Sequence, residues 1–179
     1  MAKYALEQGI NHFETALAYC KGERIYGQIW QQLAQPGESR STLRQRLIFT
    51  TKISPAADYG TMRNSIEESL ERLQIDTIDN FDIHGVNNEE KYHLLFNGGT
   101  LQAVHDAMNE GLIKHLGFSS HGDLSLLLRL IDTYEFESIN LHYYYFFQRN
   151  YPAIQRAAAK DMGVFIISPN DKWGQLFHP

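Results

Sequence analysis

Two rhythms of apolar residues alternate along the chain. Short runs rich in Ile, Phe, Leu and Thr are separated by longer segments whose apolar positions recur every three or four residues. The short runs predict strands at INHFE (10–14), RLIFTTKI (46–53), DTIDNFDIH (76–84), IKHLGFS (113–119), ESINLHY (137–143) and GVFIISP (163–169). The longer pattern predicts helices over 2–8, 22–34, 61–73, 98–110, 123–134 and 150–161. Within 61–73, Met62, Ile66, Leu70 and Leu73 make one apolar face, with Glu67, Glu68, Glu71 and Arg72 elsewhere. Gly9, Gly111 and Gly163 each fall between a helix and the next strand, where a left-handed cap belongs. The stretches 35–45 and 85–97 show no period and read as loops.

Repeated βα units imply a parallel sheet with helical crossovers. An open doubly wound sheet would usually carry a glycine-rich loop after its first strand, and none follows INHFE. A closed (β/α)8 barrel repeats every ~30 residues. The strand starts at 10, 46, 76, 113, 137 and 163 fit that repeat. The expectation is therefore a single α/β domain over 1–179, an incomplete TIM-type barrel with about six of the eight strands. Its first strand and last βα unit read as missing. Two unpaired strand edges would then be open to self-association.

Bulk properties narrow the function classes. Hydrophobic content of 43% and charge of 21% suit a soluble globular domain. A net charge of −5 gives no electrostatic case for nucleic acid. No cationic amphipathic helix argues for a membrane surface, and no apolar run approaches ~20 residues. Cys20 is the sole cysteine, so this chain holds no internal disulfide, four-cysteine zinc site or cysteine-ligated iron–sulfur cluster. The reducing cytoplasm is the expected compartment.

Barrel enzymes carry their chemistry at the C-terminal ends of the strands. The first three predicted strands end with Glu14, Lys52 and His84, and Tyr19 follows the first. Alternation puts His12, Thr50 and Asp82 one layer below, and Ile10, Ile48 and Asn80 below those. That second layer is polar for a barrel interior, and a His12–Asp82 contact is expected to satisfy it. Three ionisable strand ends and a phenol make a coherent set. A phenol is a poor acid near neutrality, with an ordinary pKa of about 10. A neighbouring ammonium stabilises the phenolate, and a carboxylate keeps the ammonium oriented. Tyr19 could then protonate a carbonyl oxygen as hydride reaches carbon, with His84 holding the oxygen or relaying a proton. The hydride must come from a reduced nicotinamide or another reductant.

The same residues resemble the aldo-keto reductases, NAD(P)H-dependent oxidoreductases on a (β/α)8 barrel. GINHFETALAY is similar to their G-x-x-x-x-D-T-A-x-x-Y segment. FTTK resembles their T-K strand end, IDNFDIH their I-D-L-x-x-x-H rhythm, and ESLERLQIDTID their S-L-x-x-L-x-x-D-x-x-D passage. The resemblance implies a tetrad at Glu14, Tyr19, Lys52 and His84. It implies NADPH or NADH as cofactor, with contacts at Ser119, Ser120, Asn140 and Ser168, and a small carbonyl compound as substrate. NLHYYYFFQRN (140–150) and DMGVFIISPNDKWGQL (161–176) look like the branch whose full-length members add a ferredoxin-like 4Fe–4S domain. The sequence departs from the family at Glu14 (usually Asp), at Asn80 and Asp82 (usually Leu), and at Ile167, where many members stack an aromatic ring on the nicotinamide. The family's nucleotide-phosphate contacts follow the seventh and eighth strands, which implies an incomplete cofactor site.

Two other readings compete. Glu14, His84, His121 and His142 lie at or just after strand ends, a set that could hold a divalent metal for hydrolysis. A non-catalytic remnant would use HYYYFF (142–147) as a contact surface, although such runs more usually form a strand end and core.

Overall fold

In the computed structural model, which describes residues 1–170, the strands form one parallel sheet in sequence order. They are β1 (His12–Glu14), β2 (Ile48–Ile53), β3 (Ile78–Ile83), β4 (Ile113–Ser120), β5 (Ser138–His142) and β6 (Gly163–Ile167). The helices between them are α2 (Gly22–Ile29), α3 (Arg40–Arg46), α4 (Tyr59–Leu73), α5 (Glu89–Asn97), α6 (Thr100–Asn109), α7 (Leu124–Asp132) and α8 (Tyr151–Ala158), after an opening α1 (Ala2–Glu7). The sheet is curled into a half-barrel. The His12 ring on β1 meets the Phe165 ring on β6 at 5.4 Å between centroids. Among the described residues, both edge strands pair on one side only. The last six residues of DMGVFIISPNDKWGQL and the end of the expected 1–179 domain lie outside the described residues.

The apolar core lies between the outer face of the sheet and the helices. Phe13, Phe49, Phe81, Phe118, Ile139 and Leu141 are all buried there. The alternate positions of the same strands face inward and are polar: Glu14, Thr50, Lys52, Asn80, Asp82, Ser119 and Asn140. Helix α4 supplies the expected stripe, with Met62, Ile66, Leu70 and Leu73 buried. Asp58 caps it by accepting from the Thr61 amide at 2.8 Å.

Helix α2 is locked to α4 by unlike contacts. The Trp30 indole donates to the Leu73 carbonyl at 3.0 Å. The buried Glu23 carboxylate accepts from Thr51 Oγ1 and from Arg72 Nε, each at 2.6 Å. A buried carboxylate needs such partners, because desolvation without them costs several kcal/mol. Gly27 lies against the backbone of α4, where an added Cβ would collide with the Arg72 carbonyl oxygen.

Several expectations need correction. The stretch 35–45 contains α3 and 85–97 contains α5. Each was without visible period because it buries a single leucine, Leu43 or Leu95. Gly9 and Gly111 take positive φ as expected, but Gly163 opens β6, and Asp161 (φ 58°) makes the left-handed turn. Glu14, Lys52 and His84 do not share a hydrogen-bonded row. Glu14 pairs with Thr50, and Lys52 with Asp82, so each strand end is offset by two residues from the last. That stagger is what curling a parallel sheet requires. HYYYFF is not core throughout: Tyr144 and Phe147 close a tight hairpin that leaves Tyr145 and Phe146 exposed.

Gly27→Ala decides between propensity and packing. Helix propensity alone would stabilise α2 by ~1 kcal/mol. The collision with Arg72 makes the expected result a net loss of about 1–3 kcal/mol, read from the urea midpoint. A variant as stable as wild type would show that the α2–α4 contact is loose.

Candidate active site

The four residues singled out by sequence come together at the C-terminal end of β1–β3. Lys52 is almost wholly buried, at 1% exposure. Its Nζ lies 2.7 Å from Glu14 Oε1 and donates to the Thr15 carbonyl at 2.8 Å. Backbone bonds set this up. Beyond Glu14 the chain stays pinned to β2 by Thr15 N–H to the Thr50 carbonyl (2.8 Å) and Leu17 N–H to the Lys52 carbonyl (3.0 Å). The turn that follows carries Tyr19, half exposed, with its ring centroid 5.0 Å from Lys52 Nζ. His84, just past β3, sets its imidazole edge-on to Tyr19 at 5.5 Å between centroids. The backbone N–H of His84 donates to the Ile53 carbonyl at 2.8 Å, which holds it beside the end of β2.

The electrostatics favour a neutral imidazole. Burial lowers the pKa of His84, the Lys52 ammonium and His121 lower it further, and Glu14 opposes them. His12 is also lowered, chiefly by burial.

The expected His12–Asp82 contact is replaced. His12 Nε2 pairs with Thr50 Oγ1 at 2.7 Å, and Asn80 Nδ2 donates to the same hydroxyl at 3.2 Å. Asp82 hydrogen-bonds Asn140 instead. Periodicity placed these groups on one face, but the two-residue stagger chose the partners.

The expected cofactor residues divide. Asn140 on β5 reaches across the half-barrel and donates from Nδ2 to Glu14 Oε1 at 3.2 Å. Ser119 shares the inner face with it, and its hydroxyl accepts from the Gly85 N–H at 3.1 Å, which leaves the hydroxyl hydrogen to donate. Ser120 points to the other face. Its hydroxyl donates to the Val86 carbonyl at 2.5 Å and accepts from the Gly122 N–H at 2.9 Å, so it ties two loops together. Ser168 follows β6 at φ 49°, and its carbonyl lies 3.2 Å from His142 Nε2. Ile167 ends β6 beside His142.

The metal reading finds no ligand cluster. Among the described residues, no three His, Cys, Asp or Glu side chains gather closely enough to hold an ion. His121 and His142 meet as rings, edge to face at 6.0 Å. Nor is any helix among the described residues long and apolar enough to cross a membrane.

The comparisons with known proteins bear on the family and the fold. The model of a family described as "Aldo/keto reductase family" matches residues 1–170. Rat aldo-keto reductase family 1 member C21 is 29% identical over 135 residues, which is 67% of this chain and 41% of that protein. The 6-dehydroglucose reductase of Novosphingobium aromaticivorans is 32% identical over 125 residues, 65% of this chain and 39% of that protein. The chain thus spans about two fifths of the length of these relatives. Among solved structures, a silkworm (Bombyx mori) aldo-keto reductase superposes with a TM-score of 0.79 at 22% identity, covering 99% of this chain and 55% of the silkworm chain. The aldose reductase of Giardia lamblia gives 0.74 at 21%, covering 96% of this chain and 61% of its own. At those identities the likeness speaks for the fold.

A histidine-specific NMR titration checks the electrostatics. The His84 imidazole is expected to titrate below the ordinary histidine value, and Glu14→Gln to lower it further, because the lost carboxylate favours the imidazolium. A midpoint at or above the ordinary value contradicts the half-buried placement of His84 beside Lys52.

Proposed function

Because the chain belongs to the aldo/keto reductase family, we propose that Glu14, Tyr19, Lys52 and His84 form a site that reduces a carbonyl to an alcohol with NAD(P)H. The observation that carries this reading is the buried Lys52 ammonium, 2.7 Å from Glu14 and 5.0 Å from the ring of a half-exposed phenol. An exposed phenol beside a buried, charge-compensated ammonium is built to give up a proton and to stabilise the anion left behind.

The roles follow from position. A reduced nicotinamide, when bound, supplies the hydride to the carbonyl carbon. Tyr19 gives its phenolic proton to the carbonyl oxygen, so the product is an alcohol and the nicotinamide is left oxidised. Lys52 stabilises the phenolate until it regains a proton from water. Glu14 holds Lys52 in place, its extra methylene relative to Asp still allowing 2.7 Å contact. His84, kept neutral, can donate one ring N–H to the substrate oxygen without adding a second cation.

The inner-face donors suit the nicotinamide end of the cofactor. Ser119 keeps a donor hydrogen and Asn140 is already placed against Glu14, so these two, with Ser168, would hold it. Ser120 supports the loops behind them. The substrate is a small carbonyl compound, to which the half-exposed Tyr19 phenol is accessible.

Tyr19→Phe tests the assignment. Carbonyl reduction is expected to fall by about 10²–10⁴-fold, with nucleotide binding by calorimetry changed by less than about threefold. Wild-type rates in that variant remove Tyr19 as the acid. Absence of reduction by the wild-type chain with either NADPH or NADH overturns the reading for this chain.

A further inference from the structure

We propose that Asp82 is a positioning residue for Lys52: a second carboxyl, buried where Glu14 is not, whose charge decides how much of the ammonium is left to stabilise the Tyr19 phenolate. The inference rests on the reductase reading of the same site.

The geometry is specific. Asp82 on β3 pairs in register with Lys52 on β2, and the next residue in the row is Gly117 on β4. Parallel neighbours in one row share a face, so Asp82 and Lys52 both point inward. Asp82 is 3% exposed. It has room only because β4 carries no side chain there: a Cβ at 117 would collide with Asp82 Oδ1. Asn140 then ties the arrangement together, bonding Asp82 on one side and Glu14 on the other. Lys52 therefore pairs with one carboxyl, Glu14, and lies in register beside a second, Asp82, that shares the same amide.

One ammonium cannot neutralise two carboxylates, and of these two Glu14 reaches solvent while Asp82 is buried. With both ionised, the trio carries a net negative charge, and the cost falls on the buried Asp82 rather than on the solvent-reaching Glu14. Glu14 makes the direct ion pair. Asp82 is the one that keeps its proton: burial pushes it up to about 7, with Lys52 pulling down and Glu14 pushing up. Among the described residues, the polar and titratable groups that face the trio come from four strands. From β1 and the end of β3 come His12 and His84, both held towards the neutral form. From β4 and β5 come Ser119, Asn140 and His142.

The consequence is a charge switch below the phenol. With Asp82 protonated, the Lys52–Glu14–Asp82 trio is neutral, and the phenolate formed on proton transfer meets an ammonium countered once. With Asp82 ionised, the ammonium is countered twice and phenolate formation is opposed. Asp82 exchanges no atom with substrate or cofactor.

Two measurements test this. The first is carboxyl 13C NMR of the wild-type chain labelled at aspartate. One aspartate is expected to titrate near neutrality, to vanish in Asp82→Asn, and to move down in Glu14→Gln, as removal of a neighbouring negative charge requires. The second is the pH profile of carbonyl reduction. Wild-type rates are expected to fall about tenfold between about pH 6 and 8, where the Asp82→Asn profile stays flat.

The outcomes separate cleanly. Wild-type aspartates that all titrate in the ordinary range overturn the proposal, and that spectrum needs no variant to fold. Reduction with the wild-type pH profile retained in Asp82→Asn overturns the positioning role alone. A coupled carboxyl titration with no reduction at any pH overturns the reductase reading and the positioning role with it.

Discussion

The site depends on one buried charge. The Lys52 ammonium sits at 1% exposure, and a lone charge there would be untenable. Its partners are Glu14 and the Thr15 carbonyl, both at the point where β1 ends and the chain turns. The same strand that carries Lys52 then pins that turn through the Thr50 and Lys52 carbonyls. Strand β2 thus provides the ammonium and also places the phenol beside it. Moving Lys52 would disturb charge, loop and Tyr19 together.

The sheet divides its labour between its two faces. Outward residues make an ordinary apolar core under the helices. Inward residues are polar along much of β2–β5, which a packed barrel interior would not choose for stability. Each polar group finds a neighbour: His12 and Asn80 at Thr50, Asn140 at Glu14, Gly85 at Ser119. A local rule broken over a contiguous patch is what a functional site looks like. The Glu23–Thr51–Arg72 group on the outer face shows the contrast. Its buried carboxylate joins helix to sheet.

Much of this was legible from residue patterns, and the failures have physical causes. Strands and amphipathic helices announce themselves by period, so β1–β6 and the α4 stripe were readable. Helices α3 and α5 were not, because each buries one leucine and so shows no stripe. Their caps were a usable signal. Ser39 accepts from the Thr42 N–H and Asn88 from the Lys91 N–H, and Asn88 is followed by two glutamates in the first turn. The Gly163 cap failed because Asp161 adopted the left-handed conformation two residues earlier.

By itself the sequence determined which residues could carry chemistry and which strand ends would present them. Alternation sorted Glu14, Lys52 and Asp82 onto one face, since side chains on a strand change sides at every residue. Only the tertiary structure decided who meets whom. The two-residue stagger between strands set Lys52 beside Asp82 rather than beside His84. Curling of the sheet brought Asn140 to Glu14 across 126 residues of chain. Period carries the face of a residue, but it does not carry the stagger or the curl. Those arise when all the strands twist together, and they turned a row of strand ends into a compensated charge beneath a phenol.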